Sequence, residues 1–317
     1  MRERSLRYAV TISIAIFAAF VPPTAAPAQD GIPGVLAPGV ASVLVQEGYE
    51  FTEGPVGTAD GGLYFSDIRV NNRRGKTYHL DSAGKITLVR EPTNGANGLA
   101  LTKDGELLFA ESESRSITKR NRDGSIVPMI DNHAGQKMLS PNDLIVDARG
   151  GIYFTDPGPR PVVPGRPTYV SYLPPGAKES IIIDDKVARP NGLTLTNNGR
   201  ALIVDDTIGN TVFIYDVQPD GRVTNKRPFA QLREIPAGAE SGADGLAVDS
   251  EDRVYITTVA GVQVFDTKGT YLGVIKSARQ GANVAFAGPG KQTLYITARE
   301  GLYRVSLLSR GPSRLGK

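Results

Sequence analysis

The sequence predicts a six-bladed β-propeller with four-stranded blades, and three observations lead there. A segment made of an acidic or amide residue, a small residue, an alternating apolar strand, a Gly-containing turn and a second strand recurs six times. The recurrence interval fits a blade of four short strands. No helical period competes with the alternation, and 36 Gly and 22 Pro supply the turns that many short strands need.

The copies read EGPVGTADGGLYFSD from Glu53, NGLALTKDGELLFAE from Asn97, NDLIVDARGGIYFTD from Asn142, NGLTLTNNGRALIVDD from Asn191, DGLAVDSEDRVYITT from Asp244 and NVAFAGPGKQTLYITA from Asn283. Their starts lie 44, 45, 49, 53 and 39 residues apart. Stretches such as TYHL-DSAG-KITLV and FIYDV-QPDG-RVTNK fall between them and supply the third and fourth strands of each blade. After the sixth copy only LYRVSL remains, so that blade lacks an outer strand, and ASVLVQEG at 41–48 is expected to add it from the N-terminal side. Such closure hides a sheet edge. The propeller is expected over residues 38–308, with a frayed tail over 309–317.

The first residues are set apart from the fold. Arg2, Arg4 and Arg7 precede an apolar run of about 14 residues from Tyr8 to Val21, short of the roughly 20 that a spanning helix needs. Ala26-Pro27-Ala28 follows as a small-residue cleavage signal, so residues 1–28 read as a secretory signal peptide and the mature protein as periplasmic or secreted. Their removal takes three Arg and one Glu from 36 basic and 33 acidic residues and leaves 33 and 32, a net charge of +1. That balance, without a basic block interleaved with aromatics, argues against nucleic acid. A monomer free of the membrane after cleavage is expected. The absence of Cys excludes disulfides, thiolate metal sites and cysteine nucleophiles.

In a propeller the same position of every repeat lies at the same height around the axis. The first position then forms a ring of Glu53, Asn97, Asn142, Asn191, Asp244 and Asn283, each able to offer an oxygen. For any single member a side-chain turn to the backbone is the alternative. As a set, two carboxylates among neutral amide oxygens suit a hard divalent cation. Calcium is the expected ion, with magnesium, manganese or zinc as alternatives, zinc being disfavoured by the lack of His in the ring. Glu111, Asp156 and Asp206 end second strands and are candidates for the pocket rim, solvated charges being the alternative. Residues 158–176 and 233–242 account for the two longest spacings and are expected to shape the mouth. His79 and His133 have no metal-ligand partner by spacing and read as structural.

The phrases FTEGPV at 51–56, SPNDL at 140–144, RPNGL at 189–193 and DGLAVD at 244–249 resemble the signature segments of the senescence marker protein, gluconolactonase and luciferin-regenerating enzyme family, which includes regucalcin. GGIYFTDP and TLYITAREGLYRV extend the similarity over nearly the whole mature chain. The resemblance implies a six-bladed propeller with one catalytic divalent cation, commonly calcium, that hydrolyses lactones or, in some relatives, phosphotriesters. It places metal ligation on Glu53, Asn191 and Asp244, and on Asn142 either ligation or contact with substrate beside the metal. Where regucalcin-type members have an Arg two residues before that Asn to hold an acidic sugar, this chain has Ser140, so the resemblance does not itself point to a sugar-acid lactone.

The function read at this level is a divalent-metal-dependent hydrolase that opens a small lactone with activated water. Asp244 is the general base or the carboxylate that positions water, Asn142 orients the substrate, and Asp143 is either a support for the ligands or a turn residue. A phosphotriester hydrolase on the same site and a non-catalytic calcium-binding propeller are the rival readings. A strictosidine-synthase type of propeller is a further alternative at the level of the fold.

Overall fold

The architecture follows from alternation in the strands and from what each blade can bury. The computed structural model describes residues 28–68, 75–133 and 135–314, and the expected signal peptide lies almost wholly outside them. The chain first forms β1 (Val43–Glu47), then blade one from β2 (Thr52–Gly57), β3 (Leu63–Asp67), β4 (Lys76–Leu80) and β5 (Ile86–Arg90). Blade two holds β6 (Ala96–Leu101), β7 (Leu107–Glu111), β8 (Ser116–Arg120) and β9 (Ile126–Ile130), and a two-stranded pair, β10 (Asn132–His133) with β11 (Gln136–Lys137), leads onward. Blade three is β12 (Leu144–Val146), β13 (Ile152–Asp156), β14 (Tyr169–Leu173) and β15 (Ile181–Asp184). Blade four is β16 (Pro190–Leu195), β17 (Ala201–Asp206), β18 (Thr211–Val217) and β19 (Val223–Gln231). Blade five is β20 (Leu246–Val248), β21 (Val254–Thr258), β22 (Gly261–Phe265) and β23 (Tyr271–Ile275). Blade six is β24 (Asn283–Ala287), β25 (Thr293–Ala298) and β26 (Gly301–Ser306), completed by β1.

The predicted closure is therefore present: β1 pairs antiparallel with β26, Val43 opposite Arg304 and Glu47 opposite Gly301. The described residues contain no α-helix, only a 3-10 turn at Pro289–Lys291.

The hydrophobic core is not one mass but six clusters, each between two neighbouring blades. Successive residues of a strand face opposite neighbours, as the two-residue period requires. Tyr153 packs with Leu193 and Tyr215 of blade four, while Phe154 packs with Leu108 and Ile117 of blade two. Ile203 likewise faces blade five, and its neighbours Leu202 and Val204 face blade three. The ring closes because blade six meets blade one through Ala285, Tyr295, Leu63 and Phe65.

At both ends the described residues pack onto the propeller beyond the expected limits of 38 and 308. Ile32, Val35 and Leu36 are buried against blades five and six. Beyond residue 308, the Ser309 and Tyr255 hydroxyls bond at 2.8 Å, and Arg314 Nη2 donates to the Leu195 carbonyl at 2.6 Å. Residues 309–314, expected to fray, therefore dock across the end of the channel where the innermost strands finish.

Candidate functional site

At the opposite end of the axis the innermost strands begin, and their first residues are turned inward by local irregularity. In blades one, two and four the ladder slips between Glu53 and Val56, between Ala96 and Leu99, and between Pro190 and Leu193. A bulge at each place re-aims one side chain, here Glu53, Asn97 and Asn191, along the axis. In blades three and five, Asn142 and Asp244 stand just ahead of β12 and β20, held by backbone bonds to Thr155 and Thr257.

The Gly that follows most of these residues has a steric cause. A Cβ on Gly192 would lie 1.9 Å from the Asp244 carbonyl oxygen, and one on Gly54, whose φ is +47°, 2.0 Å from that of Asn97. At these two positions adjacent blades approach too closely for a side chain.

Glu53, Asn97, Asn142, Asn191 and Asp244 line one cavity of about 510 Å³. The Gly54 amide donates to Glu53 Oε2 at 3.0 Å. Asn191 donates its Nδ2 to Thr207 Oγ1 at 3.1 Å, which leaves its Oδ1 toward the cavity. The Oδ1 atoms of Asn97, Asn142 and Asn191 are buried and lack a hydrogen-bond partner. A buried oxygen left unpaired costs about 1–3 kcal/mol. Three of them facing one space with two carboxylates form the donor set that a hard cation satisfies. The residues therefore fit a divalent cation, with Glu53 and Asp244 and the amide oxygens of Asn97, Asn142 and Asn191 as the available donors. No group of three or more His, Cys, Asp or Glu suited to a metal occurs among the described residues, since most of these donors are amides.

The sixth ring member departs from the expectation. Asn283 does not line the cavity. Its Oδ1 accepts from the Val284 amide at 2.9 Å and its Nδ2 donates to Asp143 Oδ2 at 3.4 Å. Asp143 is fully buried, and its Oδ1 accepts from the Leu144 amide, so it braces blade three from within the channel.

The rim reading of Glu111, Asp156 and Asp206 is corrected. All three are buried and none lines the cavity. Asp156 accepts from the Leu139 and Ser140 amides, at 2.7 and 2.5 Å, and Asp206 accepts from the Arg189 amide at 3.0 Å. Asp67 does the same for the amides of Glu50 and Phe51. Each carboxylate thus clamps the backbone two or three residues ahead of Asn142, Asn191 or Glu53 and sets where that side chain emerges. Glu111 accepts from Arg90, Asn94, Ser114 and Thr118 instead.

His133 is structural, as expected, but its partners are unexpected. Its Nε2 lies 2.8 Å from Asp156, and its Nδ1 lies 3.0 Å from both the Ser171 and the Ser180 hydroxyls. This set has the composition of a nucleophilic triad, yet it is sealed from solvent and does not line the cavity, so it can only brace.

Several site residues escaped sequence reasoning, among them Arg299, Arg189 and the buried Asp205. Arg189, the first residue of RPNGL, lines the cavity; burial and nearby Arg160 lower its pKa, while Asp244 and Glu240 pull it up. Asp205 lies under Asn191, its Oδ1 accepting from the Gly192 amide at 3.1 Å. Complete burial raises its pKa well above the ordinary carboxylate range. The doubled Asp at the end of NGLTLTNNGRALIVDD was the available signal. Both predicted insertions do reach the mouth, where Arg160 Nη2 meets Glu240 Oε2 at 2.9 Å.

Fold and site together define a six-bladed propeller with an oxygen-lined axial pocket. Residues 51–300 match the family described as SMP-30/Gluconolactonase/LRE-like region, and the chain belongs to that family. A gluconolactonase from Zymomonas mobilis is 29% identical over 291 residues, covering 83% of this chain and 80% of that protein. A solved structure of a gluconolactonase from Xanthomonas campestris superposes with a TM-score of 0.76 at 28% identity, over 91% of this chain and 99% of the other. The diisopropyl-fluorophosphatase of Loligo vulgaris is 25% identical, covering 81% of this chain and 88% of its own length.

Proposed function

We propose that the protein is a divalent-cation-dependent lactonase that opens a small lactone by addition of water. The observation behind this reading is the convergence of Glu53, Asn142, Asn191 and Asp244, from four blades, on one cavity with unpartnered amide oxygens of Asn142 and Asn191. The similarity to gluconolactonases supports it. A bound cation, calcium by the all-oxygen donor set, would polarise the lactone carbonyl and stabilise negative charge on its oxygen. Asp244 orients the attacking water and accepts its proton, and Asn142 holds the ring oxygen or carbonyl in place through its amide. Glu53 and Asn191 complete the donor set, with the Asp67 and Asp206 clamps fixing their backbone.

The test is a lactone panel assayed after chelation and after return of single metals. Turnover and melting temperature should both fall on chelation, because the donors come together only in the folded chain. Both should recover with calcium, and Glu53→Gln should blunt the response. Turnover indifferent to chelation, or metal binding by Glu53→Gln like that of the parent, would defeat the reading. Phosphotriester hydrolysis on the same site is the second reading, favoured by the similarity to diisopropyl-fluorophosphatase, and a phosphotriester in the panel decides between them.

We also propose that the chain works outside the cytoplasm after loss of residues 1–28. No helix among the described residues is long and apolar enough to cross a membrane. N-terminal sequencing of the mature protein should begin near Gln29, and a start before Val21 would refute the cleavage.

A further inference from the structure

Among the described residues, six charged ones line the cavity: Glu53, Glu240 and Asp244 against Arg160, Arg189 and Arg299. The signs balance only while no cation is bound. A divalent ion held by Glu53 and Asp244 brings the lining to a net charge of +2, and Glu240 is already engaged by Arg160 at 2.9 Å. The direct hydrogen bonds of the other two guanidiniums all go to neutral acceptors. Arg189 donates Nη1 to the Pro157 carbonyl at 3.3 Å and Nη2 to the Gly158 carbonyl at 3.2 Å. Arg299 donates to Gln280 Oε1 at 2.8 Å and lies over the Phe51 ring at 5.1 Å.

Neither Arg189 nor Arg299 has a carboxylate within ion-pair distance among the described residues. Arg189 is only 7% exposed, and its Nε is buried without a hydrogen-bond partner. A guanidinium cannot shed its proton, so a buried one without counter-charge is costly unless an anion arrives. Its planar fork suits a carboxylate or phosphate. The mouth pair between Arg160 and Glu240 is half exposed on both sides, so Arg160 can turn to the same anion.

We infer that the cavity selects a lactone bearing an anionic group, a carboxylate or a phosphate, and that Arg189 and Arg299, with Arg160 at the mouth, recognise that group. This rests on the lactonase reading of the same cavity. Arg189, at the start of blade four, and Arg299, in blade six, supply the positive charge that Ser140 does not provide. Each guanidinium would be a specificity-determining contact on the part of the substrate away from the ring carbonyl.

The test compares the calcium-loaded protein on ring-matched pairs: glucono-1,4-lactone against glucaro-1,4-lactone, which carries a carboxylate, and glucono-1,5-lactone against its 6-phosphate. The parent should show kcat/KM at least about tenfold higher on one anionic member than on its neutral counterpart, and which pair responds distinguishes carboxylate from phosphate. Arg299→Gln and Arg189→Gln should each reduce that ratio by about tenfold, with part regained in Arg189→Lys. A separate binding arm titrates the calcium-loaded protein with glucuronate and with glucose by calorimetry. Preference for glucuronate that is lost in Arg299→Gln supports the inference even if no lactone is turned over, in which case only the lactonase reading fails. Equal use of neutral and anionic partners by the parent, together with equal binding of glucose and glucuronate, would overturn it. So would variants that lower neutral and anionic turnover alike. Arg299→Gln keeps the test decisive if Arg189→Gln does not fold, because Arg299 does not hold the backbone at Pro157 and Gly158.

Discussion

Asp244→Asn is expected to lower lactone turnover by about a hundredfold or more while the chain stays folded. The substitution keeps the shape of the side chain and an oxygen at the same place, but removes a negative charge from the cavity and the group that would accept a proton from water. Asp244 stands just ahead of β20, and its backbone bond to Thr257 does not involve the side chain, so the local fold should persist. Turnover is to be measured at saturating calcium, with bound metal determined in the same sample. Loss of activity with metal still bound would assign Asp244 to the chemistry, whereas loss of both would assign it chiefly to holding the ion. Parent-like turnover would remove it from the mechanism.

Deleting the chain through residue 48 is expected to abolish cooperative unfolding and cause aggregation. The deletion strips β1 from β26 and exposes the backbone groups of that strand as an open edge. It also removes Ile32, Val35 and Leu36 from the cluster between blades five and six. Native domains are stable by only about 5–15 kcal/mol, so loss of a strand and three buried aliphatic side chains is enough to unfold the chain. A soluble truncation with an unchanged melting transition would show that closure is dispensable.

The architecture was legible because a propeller repeats a local pattern. Alternation, turn residues and the spacing from Glu53 to Asn283 are properties of short stretches of chain, and they predicted six blades and the closing strand. The position of the candidate ligands was legible for the same reason: one place in each repeat must come to one height on the axis. Five of the six ring residues do line the cavity.

What each side chain does there depended on contacts between distant segments. Asn283 has the same repeat position as Asn191, yet it turns to Asp143, 140 residues away in sequence. Asp156 and Asp206 looked like free ends of strands and are instead spent on amides of the preceding connection. Arg189 opens the RPNGL segment, in which Asn191 drew the attention, and only the fold brings it into the cavity that Arg160 and Arg299 also line. The number of blades, the closure and the residue types that meet on the axis follow from a periodic chain with a two-residue alternation, and so could be read from the amino-acid order alone. Which oxygens remain without partners and how the charges of the cavity pair could be read only from the folded chain, because hydrogen bonding and ion pairing are settled between side chains brought together from different blades.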